Sequence, residues 1–246
     1  MSDLARDPGC IQPPGFDLLY EQGPCLVVAK PGGLATQGPP GIDSLEVRVK
    51  EFLRTRDRKT GRVYLGVPHR LDRPVSGVMV LARHVRAARR LAEQFQARTV
   101  LKKYWAIVEG TVSPPAGTWT DYLRKIPDAA QVEVVSTEHP EARQAVLSYR
   151  VRGTDGRTSW LEIDLETGRM HQIRLQAASR LHPIVGDAQY GAELPFGPAT
   201  DDFRRRWIAL HARSLEFRHP MTREVVRQVA PLPPAWRPWH LVDAQP

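Results

Sequence analysis

The chain has 246 residues, with 35 Lys plus Arg against 27 Asp plus Glu, a net charge of +8 and a pI near 9.9. That balance suits a polyanionic partner such as nucleic acid, and the length allows one large mixed domain or two small ones. Cys10 and Cys25 are the two cysteines; they build neither a disulfide framework nor a zinc cluster, so a reducing compartment is expected. Residues 1–14 lack a basic-then-apolar leader, and no uninterrupted run of about 18 apolar residues occurs. The expected location is therefore the cytoplasm, with no membrane partner.

Residues 1–16 carry Pro8, Gly9, Pro13, Pro14 and Gly15, which predicts a poorly ordered lead. Cys25 to Ala29 reads as a buried strand. It stops at the turn Lys30-Pro31-Gly32-Gly33-Leu34, whose lysine points towards whatever the strand end faces. Ser44 is placed to cap a helix that turns Leu45, Val49, Phe52 and Leu53 inward.

The run His69-Arg70-Leu71-Asp72-Arg73-Pro74-Val75-Ser76-Gly77 precedes the apolar stretch Val78 to Ala82. Short apolar runs of this kind read as strands, and Pro74 and Gly77 punctuate the backbone before it. Asp72 is thus expected on a loop held by a rigid sheet and surrounded by arginines, a common setting for a catalytic residue.

Val85 to Arg98 is amphipathic, with Ala88, Leu91, Ala92 and Phe95 on the inner face. Leu101 to Glu109 follows as a strand that places Tyr104, Ala106 and Val108 on one side. Residues 111–140 show a turn at Pro114, Pro115 and Gly117 and short strands around Trp119, Tyr122 and 132–135. Ala145 to Val151 and Ser159 to Leu165 read as two strands joined across 153–156. A turn at Gly168 leads into a helix expected to run to about Arg180, on which His171 and Arg174 are neighbours. Val225 to Val229 is a further strand. The proline-rich tail from Pro231 reads equally as an ordered cap or a loose end.

Several of these stretches together resemble one family. His69-Arg70-Leu71-Asp72 with Ser76-Gly77 is similar to HRLDxxTSG, the central motif of the RluA family of RNA pseudouridine synthases, with Val75 where Thr is usual. Lys30 to Leu34 resembles the KPxGL motif, and Lys102 to Gly110 resembles KxYxAxVxG. Thr167 to Arg174 resembles TGRxHQIR, with Met170 in place of the commoner Thr. Residues 182–191 match GxPIxGDxxYG in part, with His182 before the proline, and Leu210 to Pro220 resembles LHAxxLxFxHP. A series of matches in the right order is far more specific than any one of them.

The resemblance implies an α/β (α+β) fold: a long, mainly antiparallel mixed sheet with flanking helices and a central RNA-binding cleft. It implies a catalytic domain over 17–235, a tail over 236–246, and no separate N-terminal RNA-binding domain. Asp72 matches the catalytic residue, Arg174 the arginine that pairs with it, and Tyr104 the tyrosine that lies against the target base. Arg70 would brace the stack vacated by a flipped base, while Lys30, Lys102, Arg169 and His171 would line the same basic cleft as RNA-binding residues. The 182–191 region is expected to be scaffold, and His211 structural.

The implied reaction breaks the bond between ribose and a ring nitrogen of uridine, turns the uracil and joins the ribose to a ring carbon. No net oxidation occurs, so neither a cofactor nor a metal is expected. The reaction needs a carboxylate that stays ionised in a partly dry pocket, which a neighbouring arginine favours through two charge-assisted hydrogen bonds. The partner would be a structured transfer or ribosomal RNA, and the protein a monomer. A non-catalytic RNA-binding factor of the same fold is the alternative. A third reading is a glycoside or nucleoside hydrolase that couples Asp72 to a second carboxylate such as Glu109 or Asp187.

Overall fold

The computed structural model describes residues 13–239; the remainder of the expected lead and tail lies outside the described residues. Strands β1 (Asp17–Gln22) and β2 (Cys25–Lys30) form a hairpin that leads through α1 (Leu45–Arg56) to β3 (Ser76–Ala82). After α2 (Val85–Gln96) come β4 (Leu101–Glu109), β5 (Ala116–Lys125), β6 (Val132–Val134), β7 (Arg143–Thr154) and β8 (Thr158–Leu165). The chain closes with α3 (Gln172–Ala178), β9 (Leu210–Arg218) and β10 (Val225–Val229).

All ten strands join one sheet in the order β1-β2-β3-β9-β4-β8-β7-β5-β6, with β10 also paired to β9. Among the strand pairings of the described residues only β3–β9 is parallel, so the sheet is mixed and mainly antiparallel, as expected. β9 is shared lengthwise: its first residues meet β3 at Ser76↔His211 and Gly77↔Ala212, and its later half pairs with β10. The β3 contact is close enough to demand glycine, because a Cβ on Gly77 would stand 2.3 Å from the Ala212 carbonyl oxygen.

Local chemistry explains the elements. Every residue of β2 and β3 is buried, which suits their unbroken apolar runs in the middle of a covered sheet. The Ser44 hydroxyl accepts from the Val47 N–H and caps α1, which buries Leu45, Val49, Phe52 and Leu53. His84 caps α2 through Nδ1, and that helix buries Ala87 with Leu91 rather than Ala88. It also ends at Gln96, ahead of the expected Arg98, where the backbone turns left-handed (φ 56°).

Three expectations need adjustment. β4 buries Trp105 and Ile107 as well as Tyr104, Ala106 and Val108, so alternation there does not separate an inner from an outer face. The β7–β8 hairpin turns at 155–157, later than expected. α3 is short: His171 stands before it in the left-handed conformation (φ 49°), not on the helix. At the chain end, Trp236 is buried against Phe196 and His211, so the tail as far as Trp239 is an ordered cap.

Candidate active site

Asp72 lies on the loop that enters β3, and both neighbouring peptide units are tied down. The Thr36 hydroxyl donates to the Leu71 carbonyl (2.7 Å) and accepts from the Leu71 N–H (3.2 Å). Lys30 Nζ donates to the carbonyls of Pro31 (2.9 Å), Leu34 (2.7 Å) and Arg73 (3.2 Å). Upstream, His69 Nε2 accepts from the Val80 N–H at 3.0 Å, and the ring stacks on Phe95 at 4.4 Å. Burial, helped by the Lys102 charge, pulls the His69 pKa down to about 3, in keeping with a ring nitrogen that must accept.

Lys30 therefore does not reach the cleft as an RNA-binding residue. It is 1% exposed and saturated by three carbonyls. Burial lowers its pKa to about 7, while the Asp72 charge opposes that fall.

The opposite wall comes from the turn before α3 and the loop 186–191. Gln172 fixes the turn by accepting from the Arg169 N–H and the Thr167 hydroxyl and donating to the Val146 carbonyl and Gln176. Arg174, 3% exposed, presents its fork to Asp187, with Nε–Oδ2 at 2.7 Å and Nη2–Oδ1 at 2.8 Å. Gln189 Oε1 accepts a third bond at 2.8 Å, and the guanidinium lies 5.0 Å from the Tyr190 ring centroid. Only Nη1 is left for Asp72, at 3.4 Å from Oδ2. The expectation of a bidentate Arg174–Asp72 pair is corrected on this point. The firm pair is with Asp187, and Asp72 receives a single longer contact.

His171 completes this wall. Its Nδ1 is 2.8 Å from the Tyr190 hydroxyl and its Nε2 is 3.6 Å from Asp72 Oδ2. Burial pulls its pKa below the ordinary histidine value, against the raising effect of Asp72.

Between the walls is a cavity of about 490 Å³, lined among others by Arg70, Asp72, Tyr104, Arg169 and His171. A β-bulge between Lys103 and Tyr104 in the β4–β9 pairing places the tyrosine here, a usual effect of bulges beside sites. Burial, followed by the charge on Asp72, raises the Tyr104 pKa. Arg70 is exposed at the mouth.

The cavity rim is positive. Lys102 is depressed to about 8 by burial and then by the charge on Arg98. Burial, then the charges on Arg98 and Arg143, also lower the Arg169 pKa. Arg143 stands beside Arg169 in a neighbouring groove and not in the cavity lining; among the described residues none of Lys102, Arg98, Arg169 and Arg143 is paired with a carboxylate. Lys102 and Arg169 are expected at this cavity from the sequence; Arg98 at its rim and Arg143 next to it are not.

Residues 24–179 match the family described as RNA pseudouridylate synthase. The chain belongs to the RNA pseudouridylate synthase family, in its RluA-type branch.

Relatives within this branch include a protein of Xanthomonas campestris pv. campestris named ribosomal large subunit pseudouridine synthase D. It is 39% identical over 228 residues, covering 89% of this chain and 66% of the relative. A Vibrio cholerae protein of the same name is 34% identical over 227 residues, covering 89% of this chain and 68% of its own. The chain thus spans just under two thirds of the Xanthomonas relative. Among solved structures, human RNA pseudouridylate synthase domain containing 4 superposes with a TM-score of 0.71 at 26% identity, covering 88% of both chains.

Of the residues expected at the site, the structure brings Asp72, Arg70, Lys102, Tyr104, Arg169, His171 and Arg174 to one cavity and leaves Lys30 behind its wall. It adds Thr36, Asp187, Gln189 and Tyr190 as supports. The 186–191 loop, expected to be plain scaffold, holds Arg174 directly. The only advance sign of this was a carboxylate and a tyrosine in the partly matching Gly186-Asp187-Ala188-Gln189-Tyr190 stretch. His211 is buried, with Nε2 directed at the Ala230 carbonyl and Nδ1 2.8 Å from the Ser76 hydroxyl. The two carboxylates considered as hydrolase partners are engaged elsewhere. Asp187 holds Arg174, and Glu109 accepts from the N–H groups of Glu193 and Leu194. Among the described residues, no three His, Cys, Asp or Glu side chains come together as a metal site, and no helix is long and apolar enough to cross a membrane.

Proposed function

We propose that this chain is an RNA pseudouridine synthase that isomerises a uridine in structured RNA, with Asp72 as the catalytic carboxylate and 17–235 as the catalytic domain. The observation that carries the reading is the position of Asp72. Its carboxylate lies in a cavity between a tyrosine and a guanidinium, under a rim of cations that have no carboxylate partner among the described residues.

A uridine reaches such a cavity only if it leaves its stack, at a cost of a few kcal/mol. Tyr104 offers the extruded uracil an aromatic face, a contact worth roughly 1–3 kcal/mol, and Arg70 at the mouth is placed to brace the gap. Lys102, Arg169, Arg98 and Arg143 take the phosphates, a sequence-independent contribution that weakens with salt. Asp72 then meets the ribose or its proton while the C1′–N1 bond breaks. The uracil turns, C1′ bonds to C5, the C5 proton leaves and N1 gains one. Mass is unchanged, and the balance calls for no cofactor.

The names of the relatives favour ribosomal over transfer RNA as the substrate. We place the enzyme in the cytoplasm as a monomer.

The test is Asp72→Asn. The variant should bind large-subunit RNA like the parent, and mass spectrometry of the treated RNA should show pseudouridine formation reduced by about 10²-fold or more. Undiminished conversion would defeat the assignment of Asp72. Binding without conversion by the parent would favour a non-catalytic RNA factor, and release of free uracil a hydrolase.

A further inference from the structure

The proposed reaction uses one carboxylate, and the two oxygens of that carboxylate are not equivalent in the structure. Both groups that touch it approach the same atom: Arg174 Nη1 at 3.4 Å and His171 Nε2 at 3.6 Å each face Oδ2. Among the described residues the hydrogen bond to this side chain goes to Oδ2 and none reaches Oδ1, and the side chain is 17% exposed, on the cavity side.

The way His171 presents Nε2 depends on Tyr190. The backbone N–H of Val132 donates to the Tyr190 oxygen at 3.4 Å, so the phenol proton is free to point at its other neighbour. That neighbour is His171 Nδ1, at 2.8 Å. A neutral imidazole has one donor and one acceptor nitrogen, and an Nδ1 that accepts leaves the proton on Nε2. The left-handed backbone at His171 (φ 49°) and the loop that carries Tyr190 hold the two rings edge to face at 5.7 Å.

We infer that Tyr190 and His171 form a positioning relay: the Tyr190 hydroxyl selects the Nε2–H tautomer of His171, which with Arg174 occupies Oδ2 of Asp72 and presents Oδ1 to the ribose. This rests on the reading of Asp72 as the catalytic carboxylate. No proton is transferred along the relay. Neither His171 nor Tyr190 needs to touch the reacting atoms; both act by orienting the group that does.

The ionisable groups around His171 are Asp72 and Arg70 from the loop before β3, Arg174 from α3, and Asp187 and Tyr190 from the following loop. Their charges are mixed in sign, and burial keeps the imidazole neutral. The relay is therefore set over the neutral pH range and disengages only in acid, when both ring nitrogens become donors.

Two measurements test it. The first needs no RNA: the ¹⁵N shifts of the His171 ring, assigned by its loss in His171→Gln, report the tautomer in the full-length protein near neutral pH. Nε2–H is expected, and Tyr190→Phe should give a mixed or Nδ1–H population. The second is turnover. Tyr190→Phe and His171→Leu should lower kcat by roughly 10- to 100-fold, the scale on which orienting partners act, with KM for RNA held within about twofold. His171→Gln keeps an N–H near the Nε2 position and should recover most of the loss.

An Nδ1–H tautomer in the parent would overturn the inference, as would a Tyr190→Phe protein matching the parent in both tautomer and kcat. Equal losses in His171→Gln and His171→Leu would overturn it too, since that pattern marks a packing role. If the parent forms no pseudouridine on any RNA, the functional proposal falls, and the relay falls with it as a catalytic device whatever the tautomer proves to be.

Discussion

The two walls of the cleft are built on different principles. On one side, Asp72 is located through its backbone: Thr36, Lys30 and His69 all bond to main-chain groups of the loop or of β3, and no carboxylate takes part. On the other, Arg174, Asp187, Gln189, Tyr190 and His171 are joined side chain to side chain, with a buried ion pair at the centre. The first wall fixes where the carboxylate is, and the second fixes how it is turned. The bonds from Thr36 and His69 to the main chain are neutral and indifferent to the substrate's charge, whereas the ion pair answers directly to any phosphate or carboxylate brought near it.

The contrast is broken most severely at Arg174. Arg174→Ala leaves the Asp187 carboxyl 2% exposed and without its guanidinium partner. Removal of one member of a buried pair costs about 3–5 kcal/mol, so chemical denaturation should show a loss of that size. Changing Asp187 to Asn in the same protein should restore part of it.

Acid tests the first wall. An unfolded histidine takes up its proton near pH 6.5, but folded His69 does so only near 3. Between these values the unfolded state holds the extra proton, so stability present above pH 6.5 is lost as the pH falls towards 3. His211, also depressed to about 3 by burial, adds to the same slope. Thermal unfolding followed from pH 7 to 4 should therefore show a falling midpoint, by a few kcal/mol in free energy. His69→Gln should fall less steeply than the parent.

The smallest expected effect sharpens the distinction. Thr36→Val removes both bonds to Leu71 and should cost about 1–2 kcal/mol in stability. Because the hydroxyl serves the position of Asp72 and touches no RNA, kcat should drop more than RNA affinity. A variant that weakened binding while keeping kcat would show that the two walls do not divide their work in this way.

The first wall was the more legible of the two in the sequence, and the reason is distance along the chain. The apolar runs of β2 and β3, the Ser44 cap and the loop placing Asp72 are local features, each written in fewer than about ten consecutive residues. The charged network joins α3 to a separate loop, and nothing in Gly186-Asp187 marks the aspartate as Arg174's partner until the chain is folded. Thr36 was silent for the same reason: a threonine in a loop carries no sign of the carbonyl it will meet. Lys30 misled in the opposite direction. The KPxGL resemblance puts it in the basic cleft, and only the packing of three carbonyls around one ammonium makes it internal. β1 escaped because its residues are half-buried at a sheet edge, without an apolar run or clean alternation.

The short parallel contact between β3 and β9 bears on all of this. Among the described residues it is the only ladder joining the β1–β3 flank to the other strands, and it is two positions long. Asp72 rides on one side of that seam and Arg174 on the other. The gap between carboxylate and guanidinium is thus gauged where Gly77 presses on Ala212, and slippage of the two slabs there would be felt first as a change in how far apart the opposite charges stand.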